Sequence, residues 1–213
     1  MKKTLFVSLM LVLFSLAAHA DKEGKCGENV TYHFAAATGT LTIKGSGPMS
    51  EFPIKHSRQG VILAELTAPW KGFCNDIKSV VIEDGVTTIG RAAFLRCENL
   101  ASVTIPNSVK DMSSGVFYEC KSLNAVTIPN SVTNLHSQVF YGCTNLSSVT
   151  LSNSLTEIGY ETFSGCTSLT SIDIPDGVTT IDRRAFFGCT SLVSVTFPNS
   201  VKQIKESAFT YSI

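Results

Sequence analysis

The sequence predicts a mainly β solenoid, with short parallel strands stacked on one face and extended segments and tight 3-10 turns on the other. Three observations carry this expectation. Cys74, Cys97, Cys120, Cys143, Cys166 and Cys189 follow one another at a constant step of 23 residues. The apolar positions keep the same step, from the column Ile77, Leu100, Leu123, Leu146, Leu169, Leu192 to the aromatic column Phe94, Phe117, Phe140, Phe163, Phe186, Phe209, with no insertion or deletion. Within each unit, prolines and turn residues interrupt the apolar pattern too often for a long helix.

The first element lies outside that pattern. Lys2 and Lys3 precede an apolar run from Leu5 to Ala17 and a small-x-small ending, Ala18-His19-Ala20. That is the pattern of a secretory signal peptide spanning 1–20 and cut after Ala20. The run is shorter than the roughly 20 apolar residues a membrane span needs, and no later stretch is long enough. No membrane span is therefore expected after cleavage. The cut site has no cysteine for lipid attachment, since the first, Cys26, stands further on. Removing Lys2 and Lys3 takes the balance from 17 basic and 17 acidic residues to 15 against 17, or −2. A chain so weakly charged has no phosphate-backbone partner, and no nucleic acid is expected.

Residues 21–76 read as an N-terminal capping hairpin and an irregular leader. Val30 to Phe34 and Thr40 to Ile43 alternate as strands do, and Gly45-Ser46-Gly47-Pro48 closes them with a loop. A helix is possible at Val61 to Leu66, and Trp70 and Phe73 are expected to plug the first coil.

Residues 77–213 hold about six coils, each like LTSIDIPDGVTTIDRRAFFGCTS from Leu169 to Ser191. Leu169, Ile172 and Ile174 describe a short strand entered from a bend. Pro175, with Pro106, Pro129 and Pro198, stops it because proline cannot donate to a ladder. Val178 to Phe186 reads as a second extended segment, then a tight helical or 3-10 turn. A single coil buries about seven side chains at roughly 1.5–3 kcal/mol each, against about 1.5 kcal/mol per ordered residue. One coil alone cannot fold, so stability must come from stacking. At the C-terminus Ser212 takes the ladder position and no polar cap follows. The end face is expected to be covered by the last residues or by another copy, end to end.

These residues resemble the BspA-like leucine-rich-repeat proteins of bacterial cell surfaces. The resemblance spans Ile77 to Phe209 and extends upstream through CGENVTYHF from Cys26, GTLTIKGSGPM from Gly39 and the APW before the first coil. It implies a leucine-rich-repeat solenoid displayed at the surface, adhesion or protein binding, and host matrix proteins as partners of some members. One departure stands out. Gly85, Ser108, Ser131, Ser154, Gly177 and Ser200 occupy the position where the wider repeat places a turn-pinning asparagine.

Seven cysteines in an exported chain invite disulfides. Ladder side chains pointing inward in parallel specify no unique pairing, however, so buried free thiols acting as small hydrophobes are the favoured reading. Cys26, outside the ladder, pairs with Cys74 or stays free. Metal ligands must converge, and neither a column of single cysteines nor the scattered His33, His56 and His136 does so. No G-x-S-x-G elbow or paired carboxylate stands out. No catalytic residue, metal or cofactor is expected, and the chain is not read as an enzyme.

The solvent side of the strands offers the candidate binding face: Ser102, Thr104, Thr127, Ser148, Thr150, Asp173, Ser194 and Thr196. Serine and threonine also suit any exposed strand. The functional reading is a shallow protein- or glycan-binding surface, strengthened by multivalency. The expected setting is extracellular or at the cell surface, with the periplasm as the other exported destination.

Overall fold

The computed structural model describes residues 20–53 and 67–212. The expected signal peptide and the helix expected at Val61 to Leu66 lie outside them. Four strands form the leader: β1 (Lys22–Lys25), β2 (Val30–Ala35), β3 (Thr40–Gly45) and β4 (Gly47–Pro48). Strands β2 and β3 make the expected antiparallel hairpin, because Val30, Tyr32 and Phe34 alternate inward. Gly39 turns it at φ +71°, a conformation that suits glycine. Strand β1 adds antiparallel to β2. Its Lys-Glu-Gly-Lys sequence has no apolar alternation, so nothing in the pattern signalled it.

After a 3-10 helix at Lys71–Asp76 the coils begin. Each contributes two strands. The pairs are β5 (Ser79–Ile82) with β6 (Val86–Ile89), β7 (Ser102–Thr104) with β8 (Asp111–Met112), and β9 (Ala125–Thr127) with β10 (Asn134–Leu135). They continue as β11 (Ser148–Thr150) with β12 (Glu157–Ile158), β13 (Ser171–Asp173) with β14 (Thr180–Ile181), and β15 (Ser194–Thr196) with β16 (Gln203–Ile204). Every strand pairing between coils is parallel and one repeat apart, as Ser79 opposite Ser102 and Ser148 opposite Ala125 illustrate. Strand β3 also runs parallel to β5. The hairpin therefore extends the solenoid sheet instead of lying across its end.

The tight turn closing each coil is built around left-handed residues that the sequence pattern did not signal. Two residues four apart adopt left-handed backbone in successive coils: Ala92, Gly115, Gln138, Glu161, Arg184 and Ser207 in one column, and Arg96, Glu119, Gly142, Gly165, Gly188 and Tyr211 in the other. Such residues cannot continue a right-handed helix. They divide the backbone bonds between two tasks. Ala93, Leu95 and Cys97 donate back to Gly90, Ala92 and Phe94, while the intervening Ala92, Phe94 and Arg96 donate forward to Ser114, Val116 and Tyr118 of the next coil. Buried amides thus find partners at every step, half within the coil and half between coils.

The core is a column of phenyl rings. Phe94, Phe117, Phe140, Phe163 and Phe186 are fully buried, and neighbouring centroids lie 5.3–5.5 Å apart. Trp70 extends the stack at 5.5 Å from Phe94. Its indole Nε1–H donates to the Ala93 carbonyl at 2.8 Å, and the Phe52 amide takes the Arg91 carbonyl at 3.1 Å. The leader so satisfies the carbonyls that would face an earlier coil.

The cysteine column corrects one expectation. Cys74 and Cys97 form a disulfide, with Cα atoms 5.0 Å apart, inside the usual bridging range. The 3-10 helix replaces the regular turn at Cys74, so the first ladder position differs from those that follow. Cys26, Cys120, Cys143, Cys166 and Cys189 are free and buried. They are also more than small hydrophobes. Cys120, Cys143, Cys166 and Cys189 each donate S–H to the carbonyl of Phe94, Phe117, Phe140 and Phe163, at 3.1–3.2 Å. Ser212 continues the column with its hydroxyl on the Phe186 carbonyl. Burial raises all these thiol pKa values, that of Cys189 to about 12, so the sulfurs keep the proton they donate.

A hydroxyl ladder replaces the missing asparagines. Ser108, Ser131 and Ser200 donate to the carbonyls of Val86, Val109 and Val178 in the preceding coil at 2.6–2.8 Å. In the fourth coil Ser152 stands where the second, third, fifth and sixth have proline, and its hydroxyl donates to Val132 O at 2.6 Å.

Candidate functional site

The strand face is built by alternation. Val126 and Ile172 point into the core, so the residues flanking them point outward. Ser102, Thr104, Thr127, Ser148, Thr150, Asp173, Ser194 and Thr196 are all exposed, in two parallel columns. In the first coil the equivalent Ser79 and Val81 are half-buried. Ser79 donates to the Thr40 hydroxyl of the leader at 3.1 Å. Further along, the hydroxyls of Thr104, Thr127 and Thr150 have no partner among the described residues.

The sheet is not continuous. Hydrogen-bonded strand order runs from β3 through β5 to β7, resumes as β9 with β11, and resumes again as β13 with β15. At the first interruption Val103 and Ile105 are half-exposed, whereas Val80 and Ile82 in the first coil are buried. There an open groove of about 650 Å³ crosses three coils, with Val103, Ile105 and Ala125 among its lining residues. A second hollow of about 310 Å³ follows at the next interruption and includes Asp173 and Asp176. The first groove gathers Thr104, Thr127 and Thr150, three of the expected residues, together with Asn107, Asn130 and Asn153.

Those asparagines are not among the candidate residues read from the sequence. Their signal was available, since each stands three residues after a face threonine and recurs at the repeat step. Asn130 does serve the turn, accepting from the Asn153 amide at 2.9 Å. The carboxamides of Asn107 and Asn153 have no partner among the described residues. Ser102, Ser148, Ser194 and Thr196 lie outside both hollows.

The described histidines do not come together in a site. His136 meets Asp111 at 3.0 Å and His33 lies 3.6 Å from Asp21, both at the surface, while His56 lies outside the described residues. Among the described residues no group of three His, Cys, Asp or Glu side chains could hold a metal ion. On the turn side Tyr118 and Tyr141 stack at 4.6 Å. Among the described residues no helix is long and apolar enough to cross a membrane.

The far end of the solenoid is open among the described residues. Val193, Phe197, Ile204 and Tyr211 are 82, 46, 50 and 71 % exposed, so the last of the described residues do not cover it. The forward-donating amides of the last turn, Ser207, Phe209 and Tyr211, have no acceptor among the described residues.

A family model described as a BspA type leucine rich repeat region matches residues 71–175 and 156–213 in six copies. Among solved structures, the leucine rich repeat protein of T. pallidum shares 26 % identity over 81 % of this chain and 82 % of that one, with a TM-score of 0.61. A leucine-rich repeat protein from Bacteroides ovatus shares 25 % identity over 83 % of this chain and 54 % of its own, with a TM-score of 0.53. No curated protein matches the chain.

Proposed function

Because this chain belongs to the BspA-type leucine-rich-repeat family, we propose that it is an exported, non-catalytic binding and adhesion module that presents its strand face to proteins or glycans at the bacterial cell surface. The observation that carries the reading is the contrast in hydroxyl use. Ser108, Ser131, Ser152 and Ser200 are spent on bonds between coils, while the face threonines are exposed and unengaged on a rigid scaffold. A surface with little charge and few aromatics binds weakly at each contact and gains strength from repetition.

Capture of host matrix proteins or of neighbouring-cell surface material by the purified protein tests the proposal, with Thr127→Lys placing a charge in the middle of the face. Binding abolished by that substitution, with the unfolding midpoint unchanged, supports it. Protease treatment of intact cells tests the location, and protection of the protein inside the envelope rules out adhesion.

The open end favours a second reading, an assembly protein that associates through its last coil. The exposed apolar patch and three free amides call for a partner that supplies carbonyls. The N-terminal end of another copy has its own carbonyls occupied by Phe52 and Trp70, so head-to-tail stacking would require the leader to move. A concentration-independent monomer mass by light scattering would exclude self-association through this face.

A further inference from the structure

The groove over the second to fourth coils has the chemistry of a neutral sugar site. Its floor is aliphatic, from Val103 and Ile105, and its rim carries only hydroxyls and carboxamides, with no charged side chain among its lining residues. A pyranose ring has the same division, with an apolar C–H face and an equatorial rim of hydroxyls that both donate and accept. Asparagine offers two donors and an acceptor, and threonine offers one donor and two lone pairs. Neither anionic nor cationic ligands find a counter-charge in this groove.

The spacing selects further. Successive coils are 5.3–5.5 Å apart at their rings and 5.0 Å apart between the Cα atoms of Cys74 and Cys97. An extended peptide advances roughly 3.3 Å per residue and would drift out of step with the coils. A pyranose linked through opposite ring positions advances by about one coil, so each sugar meets an equivalent Thr and Asn pair.

We propose that this groove binds a neutral, extended polysaccharide along the solenoid axis, one sugar per coil, through Thr104 with Asn107, Thr127 with Asn130, and Thr150 with Asn153. The assignment rests on the strand face being a binding surface and names its ligand class. The interruption of the strand ladder between β7 and β9 opens the floor that the sugar rings cover.

Titration calorimetry of the whole protein with the 1,4-linked hexamers cellohexaose, mannohexaose and N-acetylated chitohexaose tests it, alongside a galacturonic acid hexamer and a Gly-Ser peptide of equal length. At least one neutral hexamer is expected to bind saturably, at least tenfold more tightly than its disaccharide. Asn153→Ala is expected to weaken it at least tenfold without moving the unfolding midpoint. Binding that ignores chain length or Asn153→Ala, or that prefers the acidic hexamer or the peptide, overturns the proposal. Failure of all neutral hexamers overturns it too. If surface material is then still captured in a manner sensitive to Thr127→Lys, the binding-module reading survives; if capture also fails, both fall.

Discussion

Replacing Cys143 separates two roles for the sulfur column. The side chain is fully buried, and its S–H donates to the Phe117 carbonyl at 3.1 Å. That carbonyl also accepts the Cys120 amide, so the thiol supplies its second bond. Cys143→Ala removes a group the size of a methylene, worth about 0.8 kcal/mol. A residual cavity of roughly 20 Å³ at about 24 cal/mol per Å³ contributes about 0.5 kcal/mol. The lost hydrogen bond costs about 0.5–1 kcal/mol. Together these put the alanine variant at about 2 kcal/mol. Cys143→Ser keeps a donor in the same place, as Ser212 does against Phe186, and is expected to cost less than about 1 kcal/mol. Urea unfolding of the two variants, with equal m-values as the check on two-state behaviour, reads the difference. If the sulfur were only a small hydrophobe, burying a hydroxyl there would be the worse change. Serine costing more than alanine therefore refutes the donor role.

Phe140→Ala removes a ring held between Phe117 and Phe163 at 5.5 and 5.4 Å and is expected to cost about 3–5 kcal/mol; Phe209→Ala, on a half-buried ring, should cost about half as much in the same assay. The five free buried thiols have raised pKa values, with burial the largest cause at Cys26, Cys120, Cys143, Cys166 and Cys189. Folding therefore favours their protonated form. This stability is fully present below the unfolded thiol pKa near 9 and is lost as pH rises toward about 12. Each thiol adds a slope of about 1.4 kcal/mol per pH unit across that window, and unfolding at pH 8, 9 and 10 should show stability falling only above about 9. Thiol titration of denatured, unreduced protein is expected to find five free groups, in keeping with the single Cys74–Cys97 bridge; seven would exclude the bridge.

The repeat itself was legible because each position in a coil meets its own kind in the next. A side chain that must stack on a copy of itself leaves a column in the sequence, and Phe94 to Phe209 is read as directly as a heptad. The strand face was legible for the same reason, through the alternation around Val126 and Ile172. Strand β1 was not, because its residues are held by backbone pairing to β2 and bury no alternating apolar side. The left-handed pairs in each turn were equally hidden. Residues as unlike as Arg96, Glu119 and Gly142 share one conformation, set by the hydrogen bonds of neighbouring coils rather than by local preference.

The amino-acid order alone thus determined a stacked, mainly β architecture, its register and the residues that face water. Only the tertiary structure decided where the ladder breaks, which polar groups are consumed between coils and which remain free, and that Cys74 pairs with Cys97. Periodicity reports what every coil has in common. The groove and the bridge arise where neighbouring coils differ, and such differences acquire meaning only once the coils are set against one another.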